Sequence, residues 1–249
     1  MKMTRLLIML ILAVDTSTRS GSIAVLRDGE VLRDQPIRSA THYSATFFED
    51  VDDLLRASGI LLKEIDLFAV CAGPGSFTGL RIGLTAVKGW AEVFAKPVAA
   101  VSCLEAIAFA GWEHDGDRAS VRLVAPLLDA HQGQIFLGLY RSAEKECEMH
   151  ACIEGDLLAP VDEGFEILQR AAAGEPMTFA TPTPDVFREA LDRSGLRHAE
   201  VRQVSSAIAP AIGKIGYAKA LRGEVVDALG LDANYVRRCD AEVKWKGGA

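Results

Sequence analysis

The sequence predicts an α/β protein in which one sheet-based unit occurs twice. Apolar strands first pair as hairpins and then alternate with helical patterns, which is typical of mixed sheets flanked by helices. The two halves share a plan, since LILAVDTSTRSGSIAVL and VRLVAPLLDAHQGQIFLGLY each run from a buried strand through a glycine-containing turn into another strand. Asp15 and Asp129 end the first strand of each segment. Such similarity indicates an internal repeat of domain size.

The first half is predicted to begin with three strands between residues 9 and 37. The turn at Asp28-Gly29 joins the last two, and this dipeptide is a strong hairpin signal. Helical spacing of apolar residues predicts a helix over 44–57, with Gly59 placed to cap its C-terminus. IDLFAVCAG then predicts a buried strand, the glycine-rich GPGSFTGLRIG leads into a helix over about 77–94, and KPVAAVSCLEAIAFAG adds another strand and helix.

The second half is predicted to begin near Arg118 and to close with a helix over about 207–221. Pro210 falls in the first turn of this helix, where proline is tolerated. We expect one domain over 9–110 and a second over 118–222, with the last helix a candidate to pack back on the first domain. Residues 223–249 are predicted to form a C-terminal tail.

Composition excludes several classes of protein. Apolar residues make up 49% of the chain and charged residues 24%, which is typical of a soluble globular protein. The formal net charge of -7 lacks the basic excess of proteins that bind nucleic acid unaided. The five cysteines show no C-x-x-C spacing, which argues against a zinc site or a disulfide framework and for a reducing compartment.

The N-terminal segment MKMTRLLIMLILAV has the basic start and apolar run of a secretion signal. It leads directly into DTSTRSGSIAVL without a small-residue cleavage site, and its nine apolar residues from Leu6 to Val14 are too few for a bilayer, which requires about 20. A buried strand that ends at Asp15 fits better, and Met9 offers an alternative start. We therefore predict a cytoplasmic protein with no membrane contact.

The glycine cluster GPGSFTGLRIG matches none of the common nucleotide or nucleophile motifs. It lacks the Lys-Ser/Thr pair of a Walker loop, the third glycine of a dinucleotide fingerprint and the G-x-S-x-G of a nucleophile elbow. Within the following helix, Gly79, Gly83, Ala86 and Trp90 lie on one face. Because glycine costs a helix roughly 1 kcal/mol relative to alanine, a close approach by another element should offset the two glycines. Spacing alone leaves open whether that element is a partner's helix or the protein's own sheet.

Four stretches together resemble the bacterial TsaB family, also called YeaZ. They are ILAVDTST at 11–18, GPGSFTGLRIG at 73–83, PVAAVSCLEAIA at 97–108 and DAHQGQIFLGLY at 129–140. The resemblance covers most of residues 9–140 and is most specific at the glycine cluster. The family's late P-x-Y-x-R stretch is represented by Asn234-Tyr235-Val236-Arg237, which lacks the proline.

The resemblance implies the actin-like, sugar-kinase and Hsp70-type fold, with two ribonuclease-H-like domains. It also implies a role in making threonylcarbamoyladenosine beside the anticodon of tRNA, as a non-catalytic subunit that supports a TsaD-type catalytic paralogue. A TsaE-type ATPase belongs to the same system. From this resemblance we expect no required cofactor, ATP only in the complex, tRNA only through the complex, and a homodimer when the chain is alone.

The pattern of titratable residues supports an absence of intrinsic catalysis. No two of the five histidines, His42, His114, His131, His150 and His198, are four residues apart, so the chain lacks the H-x-x-x-H pair of a TsaD-type metal site and the H-E-x-x-H of a metalloprotease. We predict no metal site. An ATP-dependent kinase or hydrolase of the same superfold is the alternative function, and a glycoprotease-like peptidase is a more distant one.

The turn Asp15, Thr16, Ser17 and Thr18 is a candidate residual phosphate-binding turn. Its hydroxyl and backbone N–H groups could bind an anion, and Asp15 could hold a hydrated Mg²⁺. The alternative is a turn whose side chains satisfy their own backbone. We favour the alternative because the segment offers no lysine to a phosphate.

We predict that the helices over 44–57 and 77–94 form the partner interface. The glycine stripe would set how closely a partner's helices approach, so Gly83→Leu should weaken the complex and spare the fold. The predicted interface residues are Phe47, Phe48, Val51, Leu55, Ser76, Phe77, Gly79, Leu80, Gly83, Ala86, Val87 and Trp90.

Overall fold

The computed structural model describes residues 8–38, 43–113, 123–142 and 151–236. The chain divides into two compact units, each assembled from separate stretches of sequence. The first unit contains the chain up to Ala72, then Thr78–Val101 and Ala209–Ala233, and the second contains Gly73–Phe77, Ser102–Ile208 and the chain from Asn234.

Each unit is built on a five-stranded mixed sheet. The strands of the described residues are β1 (Leu10–Asp15), β2 (Ser22–Arg27), β3 (Glu30–Pro36), β4 (Leu67–Gly73), β5 (Val98–Ser102), β6 (Leu123–Asp129), β7 (Gln134–Arg141), β8 (Ala151–Pro160), β9 (Met177–Thr181) and β10 (Glu200–Gln203). The helices are α1 (Tyr43–Ser58), α2 (Phe77–Phe94), α3 (Cys103–Glu113), α4 (Val161–Ala172), α5 (Pro184–Arg193) and α6 (Ala209–Leu221), and a short 3-10 turn spans Leu62–Glu64.

The two sheets have the same strand order, which confirms the predicted duplication. The first is β3-β2-β1-β4-β5, and the second, read in the matching direction, is β8-β7-β6-β9-β10. In each, the first strand pairs antiparallel with the second and parallel with the fourth. The central strands β1 and β4 are almost wholly buried apolar runs, as strands covered on both faces require.

The edge strand β3 has a different composition, because it has a neighbour on one side only. Charged residues occupy much of its length, including Glu30, Arg33 and Asp34, and nearly all of the strand is exposed. Charges on an edge strand discourage pairing with other chains. The composition of β3 therefore suits its position.

The units differ from the domain bounds predicted at 110, 118 and 222. Helix α3 packs on β6 and β9 and belongs to the second unit, whereas α6 packs on β1 and β2 and belongs to the first. Close approach of α6 depends on glycine, since a Cβ on Gly216 would lie 2.6 Å from the Cβ of Ala69 in β4. The last helix of each repeat thus completes the other unit: the return of α6 to the first unit was predicted from the sequence, and the transfer of α3 to the second was not.

The start of the predicted tail is packed. Val226 pairs with Val98 through two backbone hydrogen bonds of 2.8 and 2.9 Å, so it extends the edge of the first sheet beyond β5. Leu231 is buried. The tail prediction for residues 237–249 lies outside the described residues. Within the described part of the chain, no helix has the length and apolarity needed to cross a membrane.

Candidate functional site

The glycine stripe of α2 faces the first unit's own sheet. A Cβ on Gly83 would overlap Thr16 Oγ1 and would lie 3.4 Å from Val14 Cγ1 of β1. Gly79 is also buried. The prediction that this stripe admits a partner's helix is therefore wrong for Gly83, because the turn residue Thr16 and, less closely, Val14 of β1 occupy the space beside it.

Most of the other predicted interface residues are buried as well. The structure assigns them to the first unit's core, so they cannot offer their side chains to a partner without unfolding: Phe47, Val51, Leu55, Leu80, Ala86 and Val87. Four predicted residues reach the surface, of which Phe48 and Ser76 are exposed and Phe77 and Trp90 are half-buried.

An aromatic cluster links the surface of α1 and α2 to the core. Trp90 lies between two buried rings, with its centroid 5.9 Å from that of Phe47 and 5.8 Å from that of Phe68. Phe48 meets the ring of Trp90 edge-on at 6.1 Å, a favourable arrangement for aromatic pairs. The side chain of Phe48 is 57% exposed, so a rigid aromatic stack ends in an apolar side chain at the surface.

The outward face of α2 contains a glycine that the sequence analysis overlooked. No atom lies within 4 Å of a Cβ built on Gly89, and Val93, one turn further along, is 76% exposed. Gly89 follows Gly83 by six residues, which at about 100° per residue rotates it well away from the buried stripe. We call Phe48, Gly89, Trp90 and Val93 the docking face, after the role that we propose for these residues. A helical projection extended past Gly83 would have found Gly89.

Substitution of Gly89 by alanine is expected to stabilise the isolated chain by up to about 1 kcal/mol, because alanine is the better helix former and the position is open. Chemical denaturation of the two purified proteins would measure this difference. A loss of stability in Gly89→Ala would contradict the open environment described for this position.

Helix α1, which carries Phe48, is fastened to the end of β3 by Asp50. The buried carboxylate accepts hydrogen bonds from the backbone N–H of Arg38 at 3.1 Å and from Arg38 Nε. Gln35 Nε2 of β3 also donates to the Asp50 carbonyl oxygen at 3.0 Å. These bonds hold α1 in register with the sheet and so fix the position of Phe48.

The candidate phosphate turn is folded onto itself. Asp15 Oδ1 accepts hydrogen bonds from Ser17 N at 2.9 Å and from Ser17 Oγ at 2.6 Å. Thr18 Oγ1 accepts one from Ser20 N at 3.2 Å, and Asp15, Thr16 and Ser17 are all buried. Asp15 Oδ1 and Thr18 Oγ1 thus satisfy backbone groups of the turn itself, whereas Asp15 Oδ2 and Thr16 Oγ1 are buried and have no hydrogen-bond partner among the described residues.

Burial makes the carboxyl group of Asp15 a weaker acid than an ordinary aspartate. Removal of the carboxyl group from water raises its pKa to about 6, although the hydrogen bonds from Ser17 oppose this shift. The corresponding residue of the second repeat, Asp129, accepts a bond of 2.7 Å from His131 N but is partly exposed. The two aspartates make the same local turn and differ in their surroundings.

The prediction of no metal site was based on the spacing of the histidines, two of which lie in the described residues. His131 is exposed and pairs with Asp129 at 3.1 Å, and His198 accepts a bond from Arg197 Nε at 3.1 Å. Across the described ranges, no three His, Cys, Asp or Glu side chains are grouped so as to hold a metal ion. His42, His114 and His150 lie outside those ranges.

Comparison with known proteins identifies the class to which the fold belongs. The YeaZ structure from Pseudomonas aeruginosa superposes with a TM-score of 0.72 at 25% identity, covering 91% of this chain and 99% of that one. A ROK hexokinase from Thermus thermophilus superposes with a TM-score of 0.50 at 13% identity, covering 85% of this chain and 100% of that one. The second likeness shows the fold alone, and it confirms the sugar-kinase-type fold.

The family of this chain is shown by its sequence matches to a family model and to a named relative. Residues 34–229 match the family described as TsaD: tRNA N6-adenosine threonylcarbamoyltransferase. The tRNA threonylcarbamoyladenosine biosynthesis protein TsaB of Bacillus subtilis is 29% identical over 242 residues, which cover 95% of this chain and 98% of that protein. The chain belongs to this family, in its TsaB (YeaZ) branch, and the resemblance found in the sequence is confirmed.

Proposed function

We propose that this chain is a non-catalytic subunit of a cytoplasmic complex that makes threonylcarbamoyladenosine in tRNA. In this complex the docking face would bind a TsaD-type catalytic subunit. Two relationships support the proposal: the B. subtilis relative is named a biosynthesis protein for this nucleoside, and the matching family is named for the transferase itself. The observation that carries the proposal is the exposed face of α1 and α2, with its aromatic side chain and its open glycine.

The docking face has the features expected of a surface that receives another helix. Gly89 lies one turn before Val93, so the backbone of α2 is open to close approach beside an exposed apolar side chain. Phe48 and Trp90 supply the aromatic anchors that dominate many protein interfaces. Since their rings are already held by Phe47 and Phe68, little side-chain freedom would be lost on binding.

The assignment of catalysis to the partner rests on the spacing of the histidines, none of which forms an H-x-x-x-H pair. The net charge of -7 supports tRNA binding through the complex rather than by this chain alone, because phosphate contacts require a basic surface.

In this proposal ATP and a TsaE-type ATPase act at the level of the complex. Two copies of the chain pair through the docking face when no catalytic subunit is present.

The proposal is tested by a charge placed on the docking face. Val93→Asp should weaken binding to a co-expressed TsaD-type subunit by at least about 100-fold, because an unpaired carboxylate would be buried in the interface. Val186→Asp is the matched control, since Val186 is a valine on helix α5 with 53% exposure. Calorimetry or surface plasmon resonance would give both affinities, and circular dichroism would verify the folds.

Equal affinities for Val93→Asp and the parent chain would place the interface elsewhere. Steady ATP hydrolysis by the isolated chain, lost in Asp15→Ala, would instead establish an enzyme of the sugar-kinase type. Sub-micromolar binding of tRNA by the isolated chain would contradict its dependence on a partner.

A further inference from the structure

The carboxylate of Asp156 joins four separate stretches of the second unit. It accepts a hydrogen bond from Ser102 Oγ at 2.8 Å and one from Tyr140 Oη at 2.9 Å. Asn234 Nδ2 donates a third bond at 2.7 Å. Ser102 in turn accepts bonds from the first N–H groups of α3, from Leu104 at 3.1 Å and Glu105 at 3.3 Å. Asp156 therefore connects β8 with β7, with the start of α3 and with the C-terminal segment.

The residue after Asn234 makes an independent contact with the glycine-rich turn. The ring of Tyr235 packs on that of Phe77, with centroids 5.1 Å apart and planes inclined by 38°. Phe77 is the first residue of α2 and the last residue of the turn Gly73–Phe77, which belongs to the same unit as Tyr235. Two neighbouring side chains of the C-terminal segment thus hold two distant parts of the chain.

We propose that Asn234 and Tyr235 form a latch that fixes the start of α2. Asn234 anchors the segment to Asp156, and Tyr235 covers Phe77. The effect of the latch on partner binding rests on the proposed function, because α2 carries Gly89 and Val93 of the docking face. In the latched state the first turn of α2 is held in place before a partner binds, which lowers the ordering cost of association.

The contacts of the latch are suited to reversible opening. Tyr235 remains 44% exposed, so its release uncovers a limited area. Asp156 retains the bonds from Ser102 and Tyr140 when Asn234 leaves, so no buried charge is stranded. Segments held by a few partly exposed contacts belong to the least stable parts of a fold. Release of the latch would therefore leave the two sheets intact.

Hydrogen exchange of the full-length protein tests the latch without a partner. In Tyr235→Ala, the amides of 81–84, which donate to the carbonyl groups of the first turn of α2, should exchange about 10-fold faster, because local opening controls exchange at such positions. Tyr235→Phe should exchange more slowly than Tyr235→Ala, since it keeps the ring contact with Phe77. Leu229→Ala is the control, as this side chain is 87% exposed in the same region of the chain. The melting temperature should be equal in all four proteins.

Affinity for a TsaD-type subunit is the second measurement. Tyr235→Ala should bind about 10-fold more weakly than the parent, and Tyr235→Phe should bind more tightly than Tyr235→Ala, because part of the binding free energy would be used to order the first turn of α2. Unchanged exchange in Tyr235→Ala would overturn the latch. Faster exchange with unchanged affinity, while Val93→Asp still weakens binding, would overturn its positioning role. Suppose instead that exchange is faster in Tyr235→Ala but that Tyr235→Ala and Val93→Asp both bind the TsaD-type subunit as tightly as the parent. The latch would then be supported, and the docking face would be refuted.

Discussion

Gly83→Leu is expected to destabilise the isolated chain by about 3 kcal/mol or more, because the new side chain would be forced into the space of Thr16 and Val14. That loss is a large share of the roughly 5–15 kcal/mol by which a domain is usually stable. Even the methyl group of an alanine would overlap Thr16 Oγ1 at this position. Urea denaturation followed by circular dichroism would measure the change.

Gly89→Leu is the matched control, since both glycines lie in α2 and only Gly89 faces open space. We expect Gly89→Leu to keep or raise the stability of the isolated chain, because leucine is the better helix former. Its binding to a TsaD-type subunit should fall by at least about 10-fold if partner helices approach closely at this position. A stable Gly83→Leu protein would refute the packing described for α2.

Asp15→Asn is expected to stabilise the protein at neutral pH by as much as about 3 kcal/mol. The pKa of the buried carboxyl is raised from 3.8 to about 6 in the folded protein, so folding favours the protonated form. The contribution of Asp15 to stability is complete below pH ~4 and is lost as the pH rises through ~6. Asparagine keeps the oxygen that accepts the bonds from Ser17 and has no charge to bury.

The measurement is the free energy of unfolding of both proteins between pH 4 and 8. Their difference should be small at the acid end, grow between pH ~4 and ~6 and stay constant above that range. A difference that does not vary with pH would show that Asp15 has an ordinary pKa. Thr18→Ala is a useful control because its hydroxyl lies in the same turn and does not titrate.

The architecture could be predicted from sequence because its signals are local. Uninterrupted apolar runs predicted the central strands β1 and β4, and the Asp28-Gly29 turn predicted the β2–β3 hairpin. The helices predicted over 44–57 and 77–94 agree with α1 and α2 to within one residue. The repeat was visible because Asp15 and Asp129 each end a buried strand and are followed by a glycine-containing turn. In the structure each aspartate also accepts a bond from the backbone N–H two residues on.

The errors concern which surface a residue faces, and this depends on tertiary packing. Gly83 and Gly89 lie on different faces of α2, and only the packing of Thr16 and Val14 against Gly83 shows which of the two faces is buried. Phe47 and Phe48 are adjacent in the sequence, yet one is buried and the other exposed. Spacing defines the faces of a helix but does not state which face meets the sheet. The contacts of Asn234 and Tyr235 join residues far apart in the chain and leave no periodic signal.

The exchange of α3 and α6 between the units has a consequence during synthesis. Strands β1 to β5 emerge from the ribosome early, but the helix that covers β1 and β2 is made only after the entire second sheet. Until then the first sheet presents an apolar surface that includes Leu26 and Ala69, the residues against which Gly213 and Gly216 of α6 pack. Nascent chains with such exposed surfaces are prone to aggregate and are substrates for chaperones. A ribosome stalled before α6 should therefore display a chain that chaperones hold, and one stalled after α6 has emerged should not.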